Sequence, residues 1–140
     1  LKLITSRKPV QRISKKRIPT WGVRPGLAIG AKVTIRGNEA ESILKRIFKA
    51  KDYKLASKSF DNEGNFCFGI PEYIDIESME YNVDVGIMGL DVAVTLERQG
   101  YRIKKRKYCS KKIPFKSRIT KEEAINYVKS KLNVQIEEGQ

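Results

Sequence analysis

Positions 29–36 (IGAKVTIR) alternate cleanly between apolar and polar side chains. Ile29, Ala31, Val33 and Ile35 fall on one side, and Lys32, Thr34 and Arg36 on the other. That period of two predicts a strand with an apolar back and a cationic front. Residues 10–18 (VQRISKKRI) are β-branched and basic and read as a second strand. Between the two lies PTWGVRPGLAIG, Pro19 to Gly30, whose glycines and prolines predict a long, shaped hairpin loop. At Asn38 the period changes. Asn38 is placed to cap a helix, Glu41 follows three residues later, and Ile43, Leu44, Ile47 and Phe48 form one apolar stripe. The helix is expected to end near positions 51–53. Asp61-Asn62-Glu63-Gly64 is turn chemistry, after which Phe66, Phe68 and Ile70 alternate as a strand. An irregular acidic stretch follows. Gly89 and Leu90 then lead into a strand with Leu90, Val92, Val94 and Leu96 on one face, and a turn is expected around Gly100. Thr120, with Glu122 and Glu123 behind it, opens a last helix running to about Leu132, packed through Ala124, Ile125, Val128 and Leu132. The fold class this predicts is α+β: an antiparallel sheet backed by helices, with a long basic hairpin loop and a basic extended arm. No internal repeat is visible. Residues 1–100 are expected to form the core domain, and residues 101–140 the arm and C-terminal helix of the same domain.

Charge changes the picture most. The chain carries 29 Lys/Arg against 16 Asp/Glu and no His, for a net charge of +13 and a pI near 9.8. Acids are absent from residues 1–38 and again between Glu97 and Glu122, and these two blocks hold 21 of the 29 bases. Residues 59–97 carry nine acids and no base. Like charges packed together repel, so blocks of this kind make sense where a polyanion neutralises them. Nucleic acid is the first candidate, since Lys and Arg displace counterions condensed on its phosphates. An anionic membrane is a distant second: no stretch approaches the apolar length of a spanning helix, and the N-terminus lacks the hydrophobic run of a signal peptide. A cytoplasmic location is the expectation. Cys67 and Cys109 are far apart and outside any CxxC pair, and are read as free thiols. Without His the commonest general base, metal ligand and Ser/Cys activator are gone, so a non-enzyme with neither cofactor nor metal is expected. An RNA-directed enzyme with Asp61 or Asp91 on Mg²⁺ is the remaining catalytic alternative.

The candidate chemistry lies in the basic blocks. The cationic strand front is either an ordinary solvated face or a surface that rests on RNA backbone. Trp21, at the loop tip beside Arg24, either stacks on an external partner or folds back to plug a small core. The loop glycines are not followed by GK[ST], so a nucleotide-binding P-loop is not indicated. Residues 101–118 (YRIKKRKYCSKKIPFKSR) interleave Tyr101, Tyr108, Ile113 and Phe115 with Arg102, Lys104, Lys105, Arg106, Lys107, Lys111, Lys112, Lys116 and Arg118. So many cations disfavour independent folding. The segment reads as an extended arm ordered by an RNA partner, the alternative being a disordered solubilising tail.

The order of motifs resembles the L-five family of 5S-rRNA-binding large-subunit ribosomal proteins, in its archaeal and eukaryotic form. Thr5-Ser6-Arg7-Lys8-Pro9-Val10 is similar to the family's T-G-Q-x-P-V segment. Gly22-Val23-Arg24-Pro25-Gly26, then Lys32-Val33-Thr34-Ile35-Arg36-Gly37, resemble G-I-R-x-G and K-V-T-L-R-G. Ser59-Phe60-Asp61 with Gly64-Asn65-Phe66 and Phe68-Gly69-Ile70, then Gly86 to Asp91 with Val94-Thr95-Leu96, and finally Arg118 to Ala124 complete a collinear match along essentially the whole chain. The resemblance implies a structural protein of the central protuberance with 5S rRNA, large-subunit rRNA and P-site tRNA as partners. Neighbouring ribosomal proteins of the protuberance and a protein of the small-subunit head complete that set. It places Arg7, Lys8, Arg12, Lys32, Thr34 and Arg36 on 5S rRNA. Arg7 stands where a Gln is common, and Thr34 at a position that hydrogen-bonds RNA. Trp21, Gly22, Val23, Arg24, Pro25 and Gly26 form the tRNA-facing loop, with Trp21 in place of the usual Phe. The basic arm is assigned to rRNA, and the acidic middle block is expected to face away from RNA, toward protein neighbours. Tyr73 stands where relatives often have His. Family members carry a strand and helix ahead of the T-G-Q-x-P-V segment, and Leu1 to Ile4 look like the end of that helix, so the resemblance implies a segment before Leu1. The contrasting reading is a general nucleic-acid chaperone that discriminates little among sequences.

Overall fold

The computed structural model describes residues 1–137. The last three positions of the stretch 101–140 lie outside the described residues. The chain divides into two compact units, residues 1–46 and residues 47–140.

In the first unit a single helical turn, α1 (Lys2–Thr5), ends at Ser6 in the left-handed region, with Ile4 and Thr5 buried. β1 (Val10–Ile13) then pairs antiparallel with β2 (Ala28–Lys32), in the register Val10 to Lys32 and Arg12 to Gly30, with a slip between Arg12 and Ile13 that marks a bulge. The strand expected across 29–36 therefore stops at Lys32. Its partner is the reason: the residue before Val10 is Pro9, which has no N–H to extend the ladder. The alternation outlives the strand, because Val33 and Ile35 are half-buried while Thr34 and Arg36 stay exposed. Gly37, at φ 73°, turns the chain into α2 (Asn38–Lys49). Asn38 is itself helical, and its carbonyl accepts from Ser42 Oγ at 3.3 Å, so it does not stand ahead of the helix as a cap residue would. Glu39 and Glu41 in the first turn complement the helix dipole.

The second unit is built on the apolar stripe as expected. Ile47 and Phe48 of α2 are buried, and the Phe48 ring stacks on Phe68 at 4.9 Å between centroids. Phe60 and Phe66 extend the cluster, their rings 5.0 Å apart. After α2, Asp52 and Tyr53 both take positive φ and redirect the chain into β3 (Lys54–Ala56). β4 (Phe66–Ile70) buries Phe66, Phe68 and Ile70 and exposes Cys67 and Gly69. It pairs antiparallel with β5 (Leu90–Val94), Phe66 opposite Val94 and Ile70 opposite Leu90. β3 instead pairs parallel with β6 (Gln135–Glu137). Among the described residues, the single antiparallel sheet expected from the sequence is thus resolved into two separate antiparallel ladders and one short parallel pair.

Residues 101–118 do not form the fully extended arm expected. α3 (Arg102–Lys105) makes one helical turn, Lys111 N–H donates to the Ile103 carbonyl, and Ser110 Oγ donates to that of Lys104. Carboxylates stand beside the folded-back segment. Lys105 pairs with Glu97, while Lys104 and Arg118 both approach Glu63, which offsets part of the repulsion within the segment. The chain then enters α4 (Lys121–Leu132), which carries a complete capping box: Thr120 Oγ1 accepts from the Glu123 N–H, and the Glu123 carboxylate accepts from the Thr120 N–H. Ala124, Val128 and Leu132 are its buried face.

The Asp61 turn sets the geometry around Glu63. Asp61 accepts from the N–H groups of Glu63 and Asn65 and from the Asn65 side chain. Desolvation works to raise its pKa, but the hydrogen bonds from Asn65 and Glu63 outweigh it and hold the carboxyl below its ordinary value. Gly64 closes this turn at φ 76°, where an added Cβ would meet Ile119 Cγ2 at 2.7 Å. Gly64→Ala is therefore expected to destabilise the protein by about 1–3 kcal/mol through overpacking, and more through the positive φ. Gly30→Ala, with open space around its Cβ, should stay within about 0.5 kcal/mol of the parent. Thermal unfolding of the two variants side by side checks this; equal midpoints would contradict it.

Candidate nucleic-acid interface

The hairpin register puts Arg12 and Lys32 on one face, because Val10 sits opposite Lys32 and Arg12 lies two residues along from Val10. The other face carries Gln11, Ile13 and Ala31, and Ile13 and Ile29 remain 59% and 58% exposed. Thr34 and Arg36 are exposed just beyond the ladder, and Lys8 is exposed just before it.

Of the ten bases in residues 1–38, Arg7 alone meets a carboxylate among the described residues. Its Nη2 lies 2.6 Å from Glu39 Oε1, and its Nε donates to Oε2 at 3.0 Å. The hydrogen bond to Glu39, and then the charge of Glu39, raise the Arg7 pKa. Arg7 therefore faces a carboxylate of its own chain and is not an open site. Lys8, Arg12, Lys32 and Arg36 have no ion-pair partner among the described residues.

The loop between β1 and β2 is a built structure. Ser14 closes its neck: the Ser14 N–H donates to Leu27, and the Ser14 carbonyl accepts from Gly26, at 2.8 and 2.9 Å. Ser14 is buried, and its Oγ donates to the Lys16 carbonyl. Further out, the N–H groups of Ile18 and Val23 each donate to the other's carbonyl, closing a small inner ring. At the tip, Pro19–Trp21 forms a 3₁₀ turn ended by Gly22 at φ 62°. Gly22 and Gly26, at φ 62° and 87°, supply the conformations that other residues adopt at a cost. Trp21 is 77% exposed. The indole therefore does not fold back to plug a small core. Val23 is half-buried; Arg24 and Pro25 are exposed.

The second basic block is divided. Arg98 is held by Glu123 at 2.8 Å, Lys105 by Glu97, and Lys104 and Arg118 lie 3.7 and 3.9 Å from Glu63. Lys104 also donates to the Tyr101 hydroxyl; this bond, then the charge of Glu63, raises its pKa. The Arg106 side chain donates to the Cys109 carbonyl. Arg102, Lys107, Lys111, Lys112 and Lys116 have no ion-pair partner among the described residues. Tyr108 and Phe115 are 84% and 85% exposed, and the Arg118 guanidinium lies 5.1 Å from the Phe115 ring centre. Sequence reasoning misses the roles of Glu63 and Arg98. Glu63 reads locally as a turn residue, and nothing near it announces that it meets cations 41 and 55 positions away.

Cys67 and Cys109 are free and exposed. No helix among the described residues is long and apolar enough to cross a membrane.

Comparison with known proteins adds a family. The pattern of the C-terminus of the ribosomal L-five family matches residues 28–127. The large ribosomal subunit protein uL5 of Picrophilus torridus is 46% identical over 137 residues, covering 97% of this chain and 78% of that protein. That of Nanoarchaeum equitans is 46% identical over 137 residues, with 97% and 80% covered. That of Sulfolobus acidocaldarius is 46% identical over 136 residues, with 97% and 76% covered.

Trp21 is the sole tryptophan, so its environment is directly readable. Its emission is expected to match that of a fully solvated indole. Iodide should quench it more strongly than neutral acrylamide does, because unpaired cations nearby attract the anion, and added salt should erase that preference. A blue-shifted, quencher-resistant emission would mean that the loop packs its indole away in solution.

Proposed function

The chain belongs to the ribosomal L-five family, and from that membership we propose that it is a structural protein of the large ribosomal subunit, with 5S rRNA on its first unit and P-site tRNA at its loop. The observation that carries this reading is the set of unneutralised cations in residues 1–38, where nine of ten bases lack a carboxylate among the described residues. A polyanion supplies what the chain withholds. Arg12 and Lys32 share one face of a hydrogen-bonded ladder, where both can meet a phosphate backbone. Lys8, Thr34 and Arg36 extend that surface, and Arg7 joins it only by leaving Glu39. The displayed Trp21, with Arg24 beside it, offers a ring and a guanidinium to the tRNA, both suited to stacking. The unpaired cations of residues 101–118 are assigned to rRNA. The acidic block exposes Tyr81, Val83, Val85, Ile87 and Met88 beside Glu80 and Asp84. An apolar surface edged with acid suits neighbouring ribosomal proteins, including one of the small-subunit head, better than it suits RNA. The place of action on this reading is the cytoplasmic ribosome.

The alternative of an unspecific nucleic-acid chaperone is separated by discrimination. The protein should bind 5S rRNA more tightly than an unrelated RNA of equal length at physiological salt, with a steep salt dependence. Arg12→Ala with Lys32→Ala should lower the slope of log affinity against log salt by about 2, one for each phosphate no longer neutralised. Equal affinity for both RNAs would favour the chaperone. A second test divides the labour between surfaces. Trp21→Ala with Arg24→Ala, in reconstituted ribosomes, should weaken P-site tRNA occupancy severalfold while changing 5S affinity by less than about twofold. Collapse of 5S binding in that variant would refute the separate role given to the loop.

A further inference from the structure

A cavity of about 260 Å³ opens in the second unit between β5's continuation, the folded-back basic segment and the Asp61 turn. Half-buried Leu96, Ile113 and Ile119 give it an apolar lining, and Tyr101 adds a ring. Arg98, Lys104, Lys112 and Arg118 border it, with Glu63 as the one carboxylate among the described lining residues, and Arg98 is held from outside by Glu123. Glu63 stands 3.7 Å from Lys104 and 3.9 Å from Arg118, outside hydrogen-bond range of both. Lys112 has no partner among the described residues. With Arg98 committed to Glu123, the other three cations share one loosely placed acid around an apolar pocket.

Charge alone would ask only for an anion, but the lining asks for more. A bare phosphate would leave the three aliphatic side chains and the Tyr101 ring against water. A duplex cannot enter, since its bases are stacked inside. The volume falls just under the roughly 300–1,000 Å³ of drug-sized sites, which suits one base with its sugar. Unpaired RNA bases are read in this way, splayed onto aromatic rings and guanidinium planes while cations hold the backbone. Arg118 connects the cavity to a second platform, because its guanidinium also lies over the exposed Phe115 ring.

We propose that this cavity receives one unpaired nucleotide of rRNA, its base among Leu96, Tyr101 and Ile113 and its phosphate on Lys112 and Arg118. The proposal rests on the ribosomal reading above and deepens it: the second basic block grips a single-stranded site through a base, where charge by itself would act on any backbone. Glu63 then acts as a placeholder that the phosphate displaces.

The test uses the whole protein and three probes: an eight-nucleotide single-stranded RNA carrying one 2-aminopurine, the same strand with an abasic site there, and a blunt RNA duplex of the same length. The 2-aminopurine strand is expected to bind at least fivefold more tightly than its abasic counterpart and than the duplex, with quenched fluorescence on binding. Tyr101→Leu should abolish most of the quenching. Lys112→Ala, at an exposed side chain with no structural partner, should weaken binding threefold or more and lower the salt slope by about 1. Should the abasic strand and the duplex bind as tightly as the intact strand, no base enters the cavity, and the block binds by charge alone with the ribosomal reading untouched. Should none of the probes bind and 5S rRNA also fail to bind, both readings fall.

Discussion

Cations gathered on a folded chain repel one another across roughly a Debye length, about 8 Å at physiological salt, and here 29 of them face 16 acids. The few places where carboxylates meet cations decide which basic residues belong to the fold and which remain for a partner. The acids bordering the two basic blocks do most of this. Glu39, just past the first block, takes Arg7. Glu97, just before the second, takes Lys105, and Glu123, just after it, takes Arg98. The tied residues lie outside the middle of each block, while Lys2 and Arg102 beside them have no carboxylate among the described residues. The interiors, Lys8 to Arg36 and Lys107 to Lys116, keep their charge unpaired among the described residues. Exposed pairs of this kind add little stability. Their effect is on placement, since they fix where an uncompensated surface begins.

Local signals in the sequence carry well into the structure, and distant ones do not. The Phe66/Phe68/Ile70 alternation, the α2 stripe ending in Phe48 and the Thr120 cap all depend on residues within a few positions of each other, and all appear where their periods place them. The same kind of reasoning misplaces the cap of α2, because Gly37 supplies the turn and Asn38 is drawn into the helix. Strand length fails for a reason visible only once the partner is known: the ladder ends with Val10 opposite Lys32, because Pro9 before it has no N–H to add. The β3–β6 pair joins three residues to three others some eighty positions on, too short to show any period. The same holds for the candidate site. Its residues are legible as types, a basic face and an aromatic at a loop tip, but the pairing of Arg7 with Glu39 spans 32 positions and carries no local mark.

The two basic blocks solve the problem of repulsion differently, and that shapes what each can do. The first spreads its charge over a hairpin whose ladder and loop are held by backbone hydrogen bonds, from Ser14 to Leu27 and from Ile18 to Val23. Apart from Arg7, its cations have no acid to leave among the described residues. The second folds back with Glu63 and Glu97 beside it and with Lys111 and Ser110 donating to the carbonyls of Ile103 and Lys104. An incoming phosphate competes with those acids. Lys104 and Arg118, loosely set against Glu63, give way easily. Arg98 does not, because Glu123 also closes the N-terminus of α4 by accepting from Thr120 and donating its N–H to the Thr120 hydroxyl. Drawing Arg98 toward RNA would uncover a carboxylate already committed to the helix, so Arg98 counts with the scaffold. The cations available to a ligand are those whose acid has no second duty.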